Sequence, residues 1–248
     1  MKDYKVVIFD LFDTIVNFNR SLLMAVKAGG AEVRSTSVDV FNVLKKYCNS
    51  ISFEDFYSAF IESYIEFNNL KRIEDRELYN GERFKLMLDM LNLRLQSKTD
   101  EIVEHMVTVH MKGLADAVEF PEENRSTLNR LTNKNYRMAI ISNFDHAPTA
   151  YGLLEKFEIK HYFEKIFISV DIGWRKPKRD IFLNAFDVLG IEPYDAIFIG
   201  DSFDADVVGS KSVGMDVIWI NRNGEQLRDG NIKPDYSISK FTEIEGIL

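Results

Sequence analysis

The stretch Tyr4-Lys5-Val6-Val7-Ile8-Phe9-Asp10-Leu11-Phe12-Asp13-Thr14 decides how the rest of the chain is read. A short, β-branched, apolar run ends abruptly at Asp10. Similar runs recur far downstream, at Arg137-Met138-Ala139-Ile140-Ile141, Lys165-Ile166-Phe167-Ile168, Ala196-Ile197-Phe198-Ile199-Gly200 and Val217-Ile218-Trp219-Ile220. Continuous apolar runs of this length, with helical patterns between them, predict buried parallel strands in βαβ units. The intervening helices are expected at 122–133, 147–157, 178–189 and 204–213. Tyr236-Ser237-Ile238-Ser239 adds a short edge strand before a final helical turn. This half of the chain is α/β.

The stretch between the first and second strands has another character. It lacks strand-like runs, and Phe53, Phe56, Phe60, Tyr64 and Phe67 fall three or four residues apart, on one helical face. Leu86, Met87, Met90 and Leu91 follow on a second helix, then Ile102, Val103, Met106 and Val109 on a third. Together they predict a small helical bundle, with the aromatic stripe packed in its core. An insertion of this length after one strand exceeds any ordinary loop and is expected to be a domain of its own. The expected division is therefore 1–16 with 120–248 for the α/β part and 17–119 for the helical part.

Composition narrows the classes. The chain has 248 residues, 46% hydrophobic, enough for a sizeable core. Its 31 Lys+Arg against 39 Asp+Glu give a net charge of −8, which argues against a nucleic-acid partner. Cys48 is the only cysteine, so neither an intrachain disulfide nor a multi-thiolate metal site can form. No run approaches a membrane span, and the first residues do not read as a signal peptide, so a cytoplasmic protein is expected. Nothing in the sequence specifies an oligomeric state.

In open parallel sheets, chemistry gathers at the carboxyl ends of the strands. Asp10 follows the first strand, Ser142 and Asn143 the second, and Asp201 and Ser202 the fourth, while Lys176 with Pro177 follows the third. His105, His110, His146 and His161 have no zinc-like spacing and are expected at surface or capping positions. There is no dinucleotide fingerprint, Walker loop or nucleophile elbow.

These strand ends, Asp10-Leu11-Phe12-Asp13-Thr14, Ser142-Asn143, Lys176-Pro177 and Gly200-Asp201-Ser202-Phe203-Asp204-Ala205-Asp206, resemble the four motifs of the haloacid dehalogenase-like hydrolase superfamily. The resemblance covers essentially the whole chain. It implies a Rossmann-like α/β core with an inserted all-helical cap domain. It also implies a phosphatase for a small phosphorylated substrate, with Asp10 as the nucleophile that forms an aspartyl-phosphate. Asp10, Asp201 and the backbone carbonyl of Phe12 would hold Mg²⁺. Ser142 and the following backbone amide, that of Asn143, would bind a phosphate oxygen. Lys176 would neutralise charge, and Asp206 would orient Lys176 or a metal-bound water.

One position departs from the family. Most of its phosphatases read Asp-x-Asp, the second aspartate acting as general acid and base, whereas this chain has Phe12. Asp13 lies one residue on, where its side chain points elsewhere, so it is expected to make a local hydrogen bond rather than supply the acid. Missing acid catalysis costs roughly 10²–10⁴-fold on poor leaving groups. Two alternatives therefore stay open: a metal-independent 2-haloacid dehalogenase-type hydrolase, for which an aromatic residue at this position also fits, and a catalytically silent binding protein. Asp201 favours the metal-dependent reading. Arg20, Asp145 and His146 are minor candidates for substrate contact.

Overall fold

The computed structural model describes residues 2, 4–28, 30–93, 98–226 and 231–248. Contacts divide the chain into two compact units, Met1–Phe18 with Glu119–Leu248, and Asn19–Val118. The strands run β1 (Val6–Phe9), β2 (Asn17–Phe18), β3 (Ala25–Ala28), β4 (Ala31–Arg34), β5 (Val118–Glu119), β6 (Arg137–Ser142), β7 (Lys165–Ile168), β8 (Ala196–Gly200), β9 (Asp216–Ile220) and β10 (Tyr236–Ile238). The helices run α1 (Ser37–Lys45), α2 (Phe53–Glu74), α3 (Asn80–Met90), α4 (Thr99–Asp116), α5 (Glu122–Asn133), α6 (Ala147–Lys156), α7 (Ser169–Ile172), α8 (Arg179–Leu189) and α9 (Gly209–Ser212).

The first unit is built on a six-stranded sheet in the order β10-β9-β8-β1-β6-β7, and its strand pairs are parallel. Both faces of such a sheet are covered, which is why its strands read as unbroken apolar runs rather than alternating ones. Val6 and Ile8 join one buried face with Phe198, Ile181, Phe182, Ala185 and Phe186. Phe9 turns the other way, against Phe163 and Phe241. Helix α8 shows the coupling of sequence and packing: Ile181, Phe182, Ala185, Phe186 and Leu189 form one buried stripe, and the helix ends at Gly190 in a left-handed conformation. Each such Phe or Ile contributes about 1.5–3 kcal/mol when fully buried.

Strand order also fixes where the chemistry can lie. From β1 the chain builds outward through β6 and β7 on one side, then through β8, β9 and β10 on the other. The carboxyl end of β1 is thus the switch point of the sheet, where open α/β folds place their ligands. Val6–Phe9 pair in register with 137–140 and 196–199, so Asp10 emerges level with the ends of β6 and β8.

The second unit contains α1 to α4. Ser52 caps α2 by accepting a hydrogen bond from the Asp55 amide, and Phe56, Phe60, Phe67, Phe84, Met87, Ile102, Val103 and Met106 fill the core. Three findings differ from the sequence reading. Ala25–Ala28 and Ala31–Arg34 form an antiparallel hairpin, too short and too poor in β-branched residues to register as strands. Tyr64 is 54% exposed, because the buried face of α2 runs through Phe56, Phe60, Ser63, Phe67 and Lys71, four and three residues apart, and Tyr64 lies beside it. His110 is a core residue, bonded to Thr36 Oγ1 at 2.6 Å and packed edge-on against Phe60 and Phe84. No helix among the described residues is long and apolar enough to cross a membrane.

Candidate active site

Asp10 is carried by the end of β1, its amide donating to the Ile199 carbonyl at 2.8 Å. The chain then turns tightly, with the Ile15 and Val16 amides both donating to the Leu11 carbonyl. Asp13 takes the strained position of this turn at φ 56°. Its carboxylate accepts the Phe18 amide at 2.9 Å, and its carbonyl accepts from Arg222. The local role expected for Asp13 is the one observed.

Lys176 sits almost wholly buried between two carboxylates, its Nζ 2.7 Å from Asp10 Oδ1 and 2.7 Å from Asp206 Oδ1. Its ring neighbour is Phe198, 4.8 Å below. Burial alone would lower the lysine pKa, but Asp10 and Asp206 together outweigh it and hold the ammonium above its ordinary value. Asp206 Oδ2 accepts the Ser202 amide at 2.9 Å, which fixes the carboxylate on a short π-helical segment, Phe203–Val208.

Gly200 is what permits this approach. A Cβ built on it would lie 2.2 Å from Asp206 Oδ2 and 2.4 Å from its Cγ. Gly200→Ala should therefore push Asp206 off Lys176, destabilising the protein by about 1–3 kcal/mol. A denaturant titration showing no loss would contradict this packing.

Asp10, Asp201 and Asp206 each offer an oxygen, all within 4.8 Å of one another. Asp201 is steered by Trp219, whose indole N–H donates to its carbonyl at 2.8 Å. Burial first, then the charges of Asp10, Asp206 and Asp13, push Asp201 up to about 8, while Lys176 works in the opposite direction. Burial likewise raises Asp10, to about 6, against the pull of Lys176. Three crowded carboxylates facing one ammonium leave an excess of negative charge, and hard oxygen donors in this number suit a small divalent cation.

Ser142 ends β6 with its Oγ fully buried and, among the described residues, without a hydrogen-bond partner. Buried hydroxyls in that state are rare and point to a missing acceptor or donor. The Asn143 side chain is fully engaged elsewhere: its Nδ2 donates to the Lys176 carbonyl and its Oδ1 accepts the Lys176 amide, both at 2.8 Å. Only its backbone amide is left for the role expected of it. This clamp on Lys176 was missed in the sequence, as were Trp219 and Arg222, because each acts across a long stretch of chain that no spacing rule links.

Phe12 and Phe144 meet with ring centroids 4.6 Å apart and planes tilted at 39°, and Phe144 is fixed by Ser169 Oγ, which accepts its amide at 2.8 Å. Of the minor candidates, Arg20 belongs to the other unit and is solvent-exposed, and His146 bonds Thr149 Oγ1 at 2.8 Å.

The chain matches the model of a family described as haloacid dehalogenase-like hydrolase over residues 7–220. It is 25% identical to a glyceraldehyde 3-phosphate phosphatase of Pyrococcus furiosus, over 100% of this chain and 94% of that protein. Among solved structures, a phosphatase from Thermococcus onnurineus aligns with TM-score 0.64 at 24% identity, covering 98% of this chain and 97% of its own. A 2-haloacid dehalogenase from Pseudomonas syringae aligns with TM-score 0.70 at 19% identity, covering 99% and 98%. These two structural likenesses speak for the fold alone.

Proposed function

The chain belongs to the haloacid dehalogenase-like hydrolase family, and from that premise we propose that it is a Mg²⁺-dependent phosphatase for a small phosphorylated metabolite, working through an aspartyl-phosphate on Asp10. The observation that carries this reading is the cluster of Asp10, Asp201 and Asp206 around buried Lys176. The phosphatase name of the Pyrococcus furiosus relative supports it. The cytoplasm is the proposed setting, and the inserted helical unit is proposed to act as a cap.

Asp10 is the nucleophile, its carboxylate aimed from a rigid strand end rather than a mobile loop. Lys176 neutralises charge where the carboxylate meets an anionic phosphoryl group. Asp206 and the Asn143 side chain keep Lys176 in position, one through its ammonium and the other through its backbone. Ser142 Oγ donates to a phosphoryl oxygen, which gives its buried hydroxyl the partner it lacks among the described residues. Asp10, Asp201 and the carbonyl of Phe12 would hold Mg²⁺, which when bound supplies charge neutralisation at the phosphoryl group.

The test couples activity to stability. Hydrolysis of para-nitrophenyl phosphate is expected with Mg²⁺ and is lost in EDTA. In cation-free protein, Asp10 and Asp201 have folded pKa values raised above the ordinary 3.8. Their contribution to stability is thus full below that value and is lost as pH rises through about 6 and about 8. The groups facing them are Asp206, Asp13 and Lys176. Mg²⁺ competes with those protons, so the rise in Tm on adding Mg²⁺ should be small at pH 5 and larger at pH 8.5. A Tm gain independent of pH would contradict this assignment of the ligands.

The aromatic pair Phe12–Phe144 beside Asp10 favours a second reading, attack at carbon with expulsion of halide from a 2-haloacid. Halide release that persists in EDTA would select it. Absence of turnover on both substrate classes, with no trapped aspartyl-phosphate, would select a silent binding protein.

A further inference from the structure

Resting on the phosphatase reading above, we propose that the substrate's leaving group is one already stable as an anion, as in acyl phosphates, phosphoanhydrides and aryl phosphates, and that it lies on an apolar platform formed by Phe12 and Phe144.

Cleaving a P–O bond drives negative charge onto the leaving oxygen. An alkoxide must receive a proton as it departs, whereas a carboxylate, a phosphate or a phenolate, whose conjugate acid has a pKa of about 10 or lower, need not. The question is whether the protein offers a proton on the leaving side. In-line displacement puts the leaving oxygen opposite the attacking one. Lys176 is tied to the attacking side by its 2.7 Å contact with the Asp10 carboxylate and its second contact with Asp206. Asp206 is 1% exposed and spends its other oxygen on the Ser202 amide. Asp201 and Asp206 offer their oxygens within 4.8 Å of the Asp10 carboxylate, grouped with the attacking atom. Asp13, next to Phe12, sits at φ 56°, and its carboxylate is engaged by the Phe18 amide.

What the turn after Asp10 presents instead is a phenyl ring. Phe12 follows the nucleophile by two residues and Phe144 follows Ser142 by two, so the tilted pair joins the chain just after both phosphoryl-handling groups. Both rings are only half-buried, so a face of the pair stays accessible rather than being consumed by the core. Ser169 pins Phe144 from both sides, accepting its amide and donating to its carbonyl. The rings supply neither a proton nor a hydrogen bond to the leaving oxygen; what they can hold is the apolar, planar body of the group that carries it.

The step balances without an acid. A bond forms between an Asp10 oxygen and phosphorus as the bond to the leaving oxygen breaks, and the electron pair departs with that oxygen as an anion. Water then adds to phosphorus, the Asp10 carboxylate is released, and both water protons leave with the phosphate as dihydrogen phosphate.

The experiment compares kcat/KM of the full chain with Mg²⁺ for acetyl phosphate, para-nitrophenyl phosphate and glycerol 3-phosphate. The alkyl ester should be poorer by roughly 10²–10⁴-fold, the usual worth of a general acid. Comparable rates for the alkyl ester and acetyl phosphate would overturn the proposal while leaving the phosphatase reading intact. No turnover of any of the three would overturn both. Acetyl phosphate and para-nitrophenyl phosphate also separate acyl from aryl leaving groups. In Phe12→Asp the ratio of alkyl to acyl turnover should rise at least tenfold. An unchanged ratio in a variant with native circular dichroism would mean that residue 12 does not face the leaving oxygen, which also overturns the proposal.

Discussion

Asp10→Asn should leave a folded protein whose phosphatase turnover is lower by at least roughly four orders of magnitude, as expected when a nucleophile is removed. The substitution is nearly isosteric, so shape is retained while the attacking carboxylate and one oxygen of the carboxylate cluster are lost. Folding should survive because Lys176 keeps its second partner, Asp206, at 2.7 Å. Stability has a sign that can be worked out. The folded protein raises Asp10 from the ordinary 3.8 to about 6, mainly by burial. Native protein therefore loses stability from this group as pH climbs through about 6, and Asn has no such loss. In EDTA, the Tm of the variant relative to the native chain should rise between pH 4 and pH 7. Chemical trapping of an aspartyl-phosphate in the native protein, absent in the variant, completes the test. Undiminished turnover in Asp10→Asn would end the covalent mechanism.

Lys176→Met should produce the largest loss of stability of any single change in the site. Lys176 is 2% exposed, and its ammonium is the bridge between Asp10 and Asp206. Its removal leaves buried carboxylates facing one another with their shared counter-charge gone. Losing one partner of a buried pair costs about 3–5 kcal/mol, because the remaining charge stays desolvated. Urea unfolding measures this directly. The loss should shrink in acid, where Asp10 and Asp201, raised to about 6 and about 8, take up protons. It should also shrink in the double variant Lys176→Met with Asp206→Asn, which removes one of the stranded charges. Additive effects of the two substitutions would show that the pair does not interact as the 2.7 Å contact implies. Turnover should fall by about 10²–10³-fold, the effect of deleting a preorganised charge stabiliser.

The α/β sheet was legible because buried parallel strands write themselves as unbroken apolar runs, and β1, β6, β7, β8 and β9 all lie on the runs picked out in the sequence. The inserted stretch was legible as helical from its three-and-four spacing, but the hairpin of β3 and β4 was not. Its residues alternate too little, and its register joins positions that no local pattern links. His110 was misread for a related reason. An isolated histidine carries no mark of the Thr36 and aromatic partners that bury it.

At the candidate site, the sequence by itself determined which chemical groups stand at the strand ends: Asp10, Ser142, Lys176, Asp201 and Asp206, in that order. Strand periodicity and residue type are local properties, so they survive without a structure. Tertiary structure alone decided what those groups do to one another. The parallel register of β1 with β6 and β8 sets Asp10 level with its partners, and the missing side chain of Gly200 lets Asp206 reach Lys176. It also decided that Asn143 clamps the Lys176 backbone and that Phe12 meets Phe144. Desolvation and Coulomb coupling depend on distances between residues up to 196 positions apart in the chain, from Asp10 to Asp206, and no reading of neighbours in sequence contains those distances.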